Sequence, residues 1–127
     1  MIDKEDEVFQ TVATKLRTKH KSIYVVGTEL TSTPPRFPAV SLVQTNSAVK
    51  SEYATFHSLE NVAREDYKAE VFSNLEKGKE AQTKEITRDI SDALRDLGYE
   101  RTFCEQIANG DPTINRRVSR YSKNNVI

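Results

Sequence analysis

The feature that most constrains this sequence is an alternating pattern of side chains between Glu60 and Ser73. Because successive side chains of a β-strand point to opposite faces, the pattern predicts a long strand with one buried side and one wet side. The buried side is predicted to carry Ala63, Tyr67, Ala69 and Val71, and the wet side Arg64, Asp66, Lys68 and Glu70.

Four further segments are rich in β-branched or alternating residues, which favours strands. Two proline-containing segments, Thr31–Pro35 and Ala108–Pro112, predict breaks or turns between them. The polar stretch Asn46–Ser58 has no period and is predicted to be a long loop, and residues 122–127 are expected to form a flexible tail. The four predicted strands are Ser22–Thr28, Pro38–Thr45, Tyr99–Ile107 and Thr113–Tyr121.

Two segments, Lys4–Lys19 and Lys79–Leu97, carry apolar residues at helical spacing. Asp3 is a suitable N-cap for the first helix, and Gly98 stands where a left-handed C-cap follows the second. The resulting order is α-β-β-β-α-β-β. It predicts a single α+β domain over residues 1–127, with a mostly antiparallel sheet and both helices packed on one face.

Charge and hydropathy argue against several classes of protein. Nineteen basic residues balance nineteen acidic ones, whereas a dedicated duplex-DNA binder usually has a basic excess. The longest apolar run, Ile23–Val26, is far shorter than the roughly 20 residues of a membrane-spanning helix. The first residues are acidic and do not resemble a secretory signal. With Cys104 as the single cysteine, we expect a soluble cytosolic protein without a disulfide.

The motifs of catalysis and metal binding are incomplete. The segment Lys77-Gly78-Lys79 lacks the earlier glycine and the following hydroxyl residue of a phosphate-binding loop. His20 and His57 have no carboxylate or second histidine at a ligand spacing, and Cys104 has no accompanying histidine signature. We therefore expect no enzymatic activity, no metal and no cofactor.

Acidic residues of the second helix are also interpreted as structural. Asp89, Asp92 and Asp96 are predicted to lie on its solvent face, among basic residues at helix-pair spacing. The predicted surface ion pairs are Glu85–Arg88 and Asp92–Arg95.

The last predicted strand concentrates positive charge, because four basic residues and no acidic one follow Pro112. Alternation places Arg116 and Arg120 on one side of this strand and Arg117 on the other. The arginines could pair with acids such as Asp66 and Glu70 across the sheet or with a neighbouring subunit, or they could contact nucleic acid.

Three segments of the second half of the chain resemble a family of small phage proteins encoded among the head-to-tail joining genes of viruses and prophages of Gram-positive bacteria. They cover residues 60–121, and the element order also resembles that of tail terminator, or tail completion, proteins of long-tailed phages. The segments are Glu60-Asn61-Val62-Ala63 with Tyr67 and Glu70-Val71-Phe72-Ser73-Asn74; Gly78-Lys79 with Leu97-Gly98-Tyr99 and Arg101; and Asp111 with Ile114, Arg116, Arg120 and Tyr121.

This resemblance implies a structural virion protein, assembled in the cytoplasm of the host bacterium. Such proteins form a ring, typically a hexamer, that caps the tail tube and joins it to the neck, with DNA passing through the lumen without sequence-specific contact. The expected partners are further copies of the chain, the tail tube protein and a neck or head-closure protein. The loop Asn46–Ser58 is expected to reach towards the tube or a neighbour. The expected assembly interface comprises Arg64, Lys68, Glu70, Phe72, Asn74, Arg116, Arg117 and Arg120.

Two alternatives stay open at this point. The first is another neck component, such as a head-closure or head-tail connector protein, which shares the same setting. The second is a small nucleic-acid-binding module that uses the basic residues of the last strand.

Overall fold

The computed structural model describes residues 5–30, 33–49, 62–108 and 110–126. It confirms the α+β class and the order α-β-β-β-α-β-β. The elements are α1 (Glu5–Lys19), β1 (Tyr24–Val26), β2 (Ala39–Val49), β3 (Val62–Ser73), α2 (Lys79–Asp96), β4 (Glu100–Ile107) and β5 (Asn115–Val126).

Five strands form one sheet in the order β1-β2-β3-β5-β4. Only the short pairing of β1 with β2 is parallel, and the other three pairings are antiparallel. The alternating segment found in the sequence is β3, the middle strand, which pairs with β2 on one side and with β5 on the other. Because directly paired residues share a face, Tyr67 lies beside Tyr121 on one side, and Lys68 beside Arg120 on the other.

One hydrophobic cluster combines residues of both helices with one side of the sheet. Val12 and Leu16 of α1 and Ile90 of α2 are almost completely buried in it, as are Val40 and Val71 of the sheet. The apolar stripes that predicted the helices therefore supply part of this core. Alternate residues of β2 and β3 add to it, together with Ile23, Val25 of β1, Tyr99 and Tyr121 of β5. Side chains of α2 also form hydrogen bonds with side chains of β3 and β5. The bonded pairs are Gln82 with Ser73, Thr83 with Asn115 and Ser91 with Tyr121.

Two strands are longer than predicted. The structure continues β2 to Val49 and β5 to Val126, so the loop predicted from Asn46 starts as strand, and the predicted tail is strand from Ser122 to Val126. The reason is the length of β3, whose first residue, Val62, still pairs with Val126. Backbone hydrogen bonds between strands do not require apolar side chains. The strands therefore continue into polar segments that show no alternating pattern in the sequence. The predicted loop residues from 50 to 58 lie outside the described part of the chain.

The second helix ends as its sequence predicts. Gly98 has a φ of 93°, in the left-handed region, and its amide donates to the carbonyl of Arg95. A Cβ atom at this position would lie 3.0 Å from Cε of Lys123. The predicted N-cap of α1, Asp3, lies outside the described residues. Neither helix of the described ranges combines the length and the apolar character needed to cross a membrane.

We expect Gly98→Ala to destabilise the fold by about 1 kcal/mol or more, because alanine is strained at positive φ and its methyl group would press on Lys123. Urea denaturation followed by circular dichroism measures the change. Gly110→Ala is the matched control, since Gly110 lies in open space and has no positive φ. Equal losses in both variants would contradict this account of the helix end.

Candidate functional site

The side of the sheet opposite the tyrosines carries a network of ion pairs, which we call the charged face and define by Lys68, Glu70, Phe72 and Arg116. Lys68 Nζ lies 2.6 Å from an oxygen of Glu29 and 3.2 Å from an oxygen of Glu70. Arg116 Nε donates to the other Glu70 oxygen at 2.7 Å. The Arg116 guanidinium also lies 5.9 Å from the centre of the Phe72 ring. One buried carboxylate therefore holds two cations from two strands.

The ion pairs of the charged face shift the pKa values of Lys68 and Glu70. The hydrogen bond with Glu29 raises the pKa of Lys68, and Glu70 contributes in the same direction against the effect of burial. Burial alone would raise the pKa of Glu70, which is only 4% exposed. The hydrogen bonds and charges of Arg116 and Lys68 outweigh burial and lower the pKa of Glu70 below its ordinary value. Lys68 and Glu70 are therefore both charged near neutral pH.

The eight residues predicted for the assembly interface do not form one cluster in the structure: four meet in the charged face, and four lie elsewhere. Lys68, Glu70, Phe72 and Arg116 meet in the charged face, so the predicted pairing of an arginine with Glu70 across the sheet is confirmed. Two more, Arg64 and Arg120, lie on the same side of the sheet and are exposed. Arg117 points to the opposite side, as predicted, and Asn74 is exposed just after β3. The charges of the charged face are thus satisfied within one subunit. Arg64 Nε donates to Asp66 Oδ1 at 3.1 Å, whereas the exposed Arg120 has no ion pair among the described residues.

A buried acid on the other side of the sheet was missed by sequence reasoning. Glu65 is completely buried, and its Oε2 accepts a hydrogen bond of 2.6 Å from the hydroxyl of Tyr99. The Tyr99 ring packs edge-on against Tyr67, with ring centres 5.3 Å apart. Burial, followed by the bond to Glu65, raises the pKa of Tyr99 strongly, so it stays a donor. The available signal was that Glu65 falls on the apolar side of the alternating pattern.

The two helices are joined by polar contacts that also correct the sequence analysis. Asp89 was predicted to face solvent, but its carboxylate accepts from Lys19 at 2.9 Å and lies 2.8 Å from Nε2 of His20. His20 therefore has a carboxylate neighbour, at a separation of 69 residues that local spacing could not reveal. The predicted pair Asp92–Arg95 forms, whereas the ion pairs of the described residues do not include Glu85–Arg88.

His20, Glu85 and Asp89 are also the described groups that could hold a metal ion, with ligand atoms within 4.8 Å of one another. The Asp89 oxygens already face a lysine and a histidine. Although burial opposes it, these two partners lower the pKa of Asp89 below its ordinary value. The arrangement therefore acts as a clamp between α1 and α2.

A groove of about 720 Å³ opens between α2 and β4, and we call it the α2–β4 groove. Thr87 and Arg88 line it from the helix, Arg101 and Cys104 from β4, and Arg117 from β5. This is the position to which Arg117 is directed by the alternation of β5. The groove thus collects basic residues that the sequence places in three separate segments.

Comparison of the chain with known proteins gave no relative from which a role could be transferred: no protein-family model matches it, and no curated protein matches it.

We expect Glu70→Gln to lower the free energy of unfolding by about 2 kcal/mol, because it leaves Lys68 and Arg116 without their shared anion. The loss should be below the roughly 3–5 kcal/mol of a fully buried pair, since both cations keep some contact with water. Urea denaturation at neutral pH measures it. Glu105→Gln, an exposed acid on the neighbouring edge strand, should leave stability unchanged. A loss in Glu105→Gln as large as in Glu70→Gln would contradict a specific role for the network.

We expect Asp89→Asn to cost about 1–2 kcal/mol at neutral pH, because the hydrogen bonds to Lys19 lose their charge assistance. Since the folded pKa of Asp89 is lowered from 3.8, its stabilisation is present above that pH and is lost as the pH falls through the folded value. The stability difference between the two proteins should therefore shrink below about pH 3.8. Thermal denaturation from pH 7 to pH 2 tests this, with Asp92→Asn as an exposed control. A difference that persists unchanged at the lowest pH would contradict it.

Proposed function

We propose that this chain is a structural phage virion protein, a tail terminator that forms a ring on the end of the tail tube and joins the tube to the neck. The proposal combines the resemblance of residues 60–121 to phage head-to-tail joining proteins with the element order that the structure has. In this role the protein works by self-association and by offering one surface to the tube and another to the neck.

The observation that carries the proposal is that residues from all three resembling segments contact one another. Glu70 of the first segment pairs with Arg116 of the third. Tyr67 of the first packs against Tyr99 of the second, and it pairs across the sheet with Tyr121 of the third. Scattered positions that meet in this way support a shared structural framework.

The surfaces of the subunit suit closure into a ring. A ring is made by joining two different patches of neighbouring copies, and β1 and β4 are the two opposite edges of the sheet as described. Arg64 and Arg120 project from the side of the sheet that the charged face occupies, and both are exposed. We therefore propose that this side, with its two outward arginines, meets the neighbouring copy or the tube.

Assembly can be tested with the purified chain and a phage tail tube protein. Light scattering and negative-stain imaging should reveal annuli, either free or at the ends of tubes. Virions that lack the protein should release tails of irregular length that fail to join full capsids. Uniform tails joined to full capsids in its absence would refute the proposal, and its recovery with tailless, DNA-filled heads would assign it to head closure.

We expect Arg120→Glu to reduce ring formation or tube capping at least tenfold. The new carboxylate would face the acidic group that pairs with Arg120 across the contact, and like charges brought together at an interface cost several kcal/mol. Sedimentation with preformed tubes measures the bound fraction. Arg17→Glu is the matched control, since Arg17 is an exposed residue of α1. Both variants should keep the circular dichroism spectrum of the original chain. Equal capping by Arg120→Glu and the original would exclude Arg120 from the contact.

A further inference from the structure

The α2–β4 groove contains basic side chains that lack acidic partners. Arg88, Arg101 and Arg117 line it, and the ion pairs and hydrogen bonds of the described residues leave all three side chains unpaired. By contrast, Glu70 neutralises Lys68 and Arg116, and the two other cations that line the groove, Lys84 and Arg95, pair with Glu80 and Asp92. The groove is therefore a local excess of positive charge in a chain whose total charge is zero.

Two buried donors point to a ligand at the same place. Thr87 is only 2% exposed, and its Oγ1 has no hydrogen-bond partner among the described residues. Arg117 Nε is likewise buried and without a partner there. Leaving a buried donor unbonded costs about 1–3 kcal/mol. Both residues line the groove, so an acceptor bound in it would satisfy them together.

We infer that the α2–β4 groove is a docking site for an acidic peptide segment of a partner protein. Its volume of about 720 Å³ lies within the range of about 300–1,000 Å³ typical of ligand sites. The planar guanidinium groups of Arg101 and Arg117 can each hold a carboxylate with two parallel hydrogen bonds. This inference does not depend on ring formation. It concerns binding of a peptide in the groove, whereas the proposed ring is formed by contacts between copies of the chain.

Two observations favour a peptide over nucleic acid. Tyr99 is the aromatic residue that lines the groove, and it is 3% exposed, so it offers no platform on which a base could stack. Finally, β4 is an edge strand that pairs with β5 alone in the described sheet, and its free backbone groups can bond to a peptide backbone.

An extended peptide along β4 would present every second side chain to the groove. We therefore expect the tightest binding from a sequence in which acidic residues occupy alternate positions. The Thr87 hydroxyl and Arg117 Nε would donate to a carboxylate held deep in the groove, and Arg88 and Arg101 would hold a second one nearer the opening.

The test is fluorescence anisotropy of the full-length chain with a labelled octapeptide of alternating glutamate and threonine. Arg101→Gln and Arg117→Gln should each weaken binding about tenfold, which is the loss expected for one charge-assisted hydrogen-bonded pair. Thr87→Val should weaken binding without lowering thermal stability, because it removes an unbonded hydroxyl. Arg17→Gln is the control, since Arg17 is an exposed arginine of α1 that does not line the groove, and it should bind as the original does.

The binding results distinguish an acidic peptide ligand from a nucleic-acid ligand. Arg101 is exposed, so its substitution leaves the fold intact even if that of Arg117 does not. Loss of binding when glutamine replaces glutamate in the peptide would support recognition of carboxylates. Failure of the acidic peptide to bind, or equal binding to Arg101→Gln and Arg17→Gln, would overturn the inference. Tighter binding of an eight-nucleotide oligothymidine that is lost in Arg101→Gln would overturn it in favour of nucleic acid.

Discussion

The structure depends on the pairing of β3 with a neighbour along both of its edges. From Val62 to Ser73 this strand is paired with β5, and from Ala63 to Phe72 it is paired with β2. A strand bonded on both sides cannot shift its register by one residue without turning every side chain to the wrong face. The alternating sequence of β3 thus fixes which residues of the neighbouring strands become core and which become surface.

The two sides of β3 have different environments: one side packs in the core, and the other carries ion pairs. On one side, Tyr67 and its neighbours fill the core shared with the helices, and the buried acid Glu65 is tied to Tyr99. On the other side, Glu70 joins Lys68 and Arg116. Because this network is complete within the subunit and Arg64 is paired with Asp66, the exposed Arg120 is left for contacts with other molecules.

Periodic features could be predicted from the sequence because they depend on neighbours a few residues apart. The alternation of β3, the helical stripes and the glycine at position 98 gave the order of elements, and the alternation of β5 separated Arg117 from Arg116. The contact of His20 with Asp89 and the convergence of Arg88, Arg101 and Arg117 could not be predicted, since each joins distant segments. The strand ends at Val49 and Val126 were missed because backbone pairing, rather than side-chain pattern, sets them.

The position of β5 in the sheet has a consequence for how the chain acquires its structure during synthesis. Strand β5 is synthesised after the other four strands of the described sheet, yet it lies between β3 and β4 and is the described pairing partner of β4. Until β5 emerges, β4 has no strand to join, and one edge of β3 stays open. Completion of the described sheet therefore waits until β5 has emerged, and before that the nascent chain exposes an unpaired edge that chaperones or another chain could occupy.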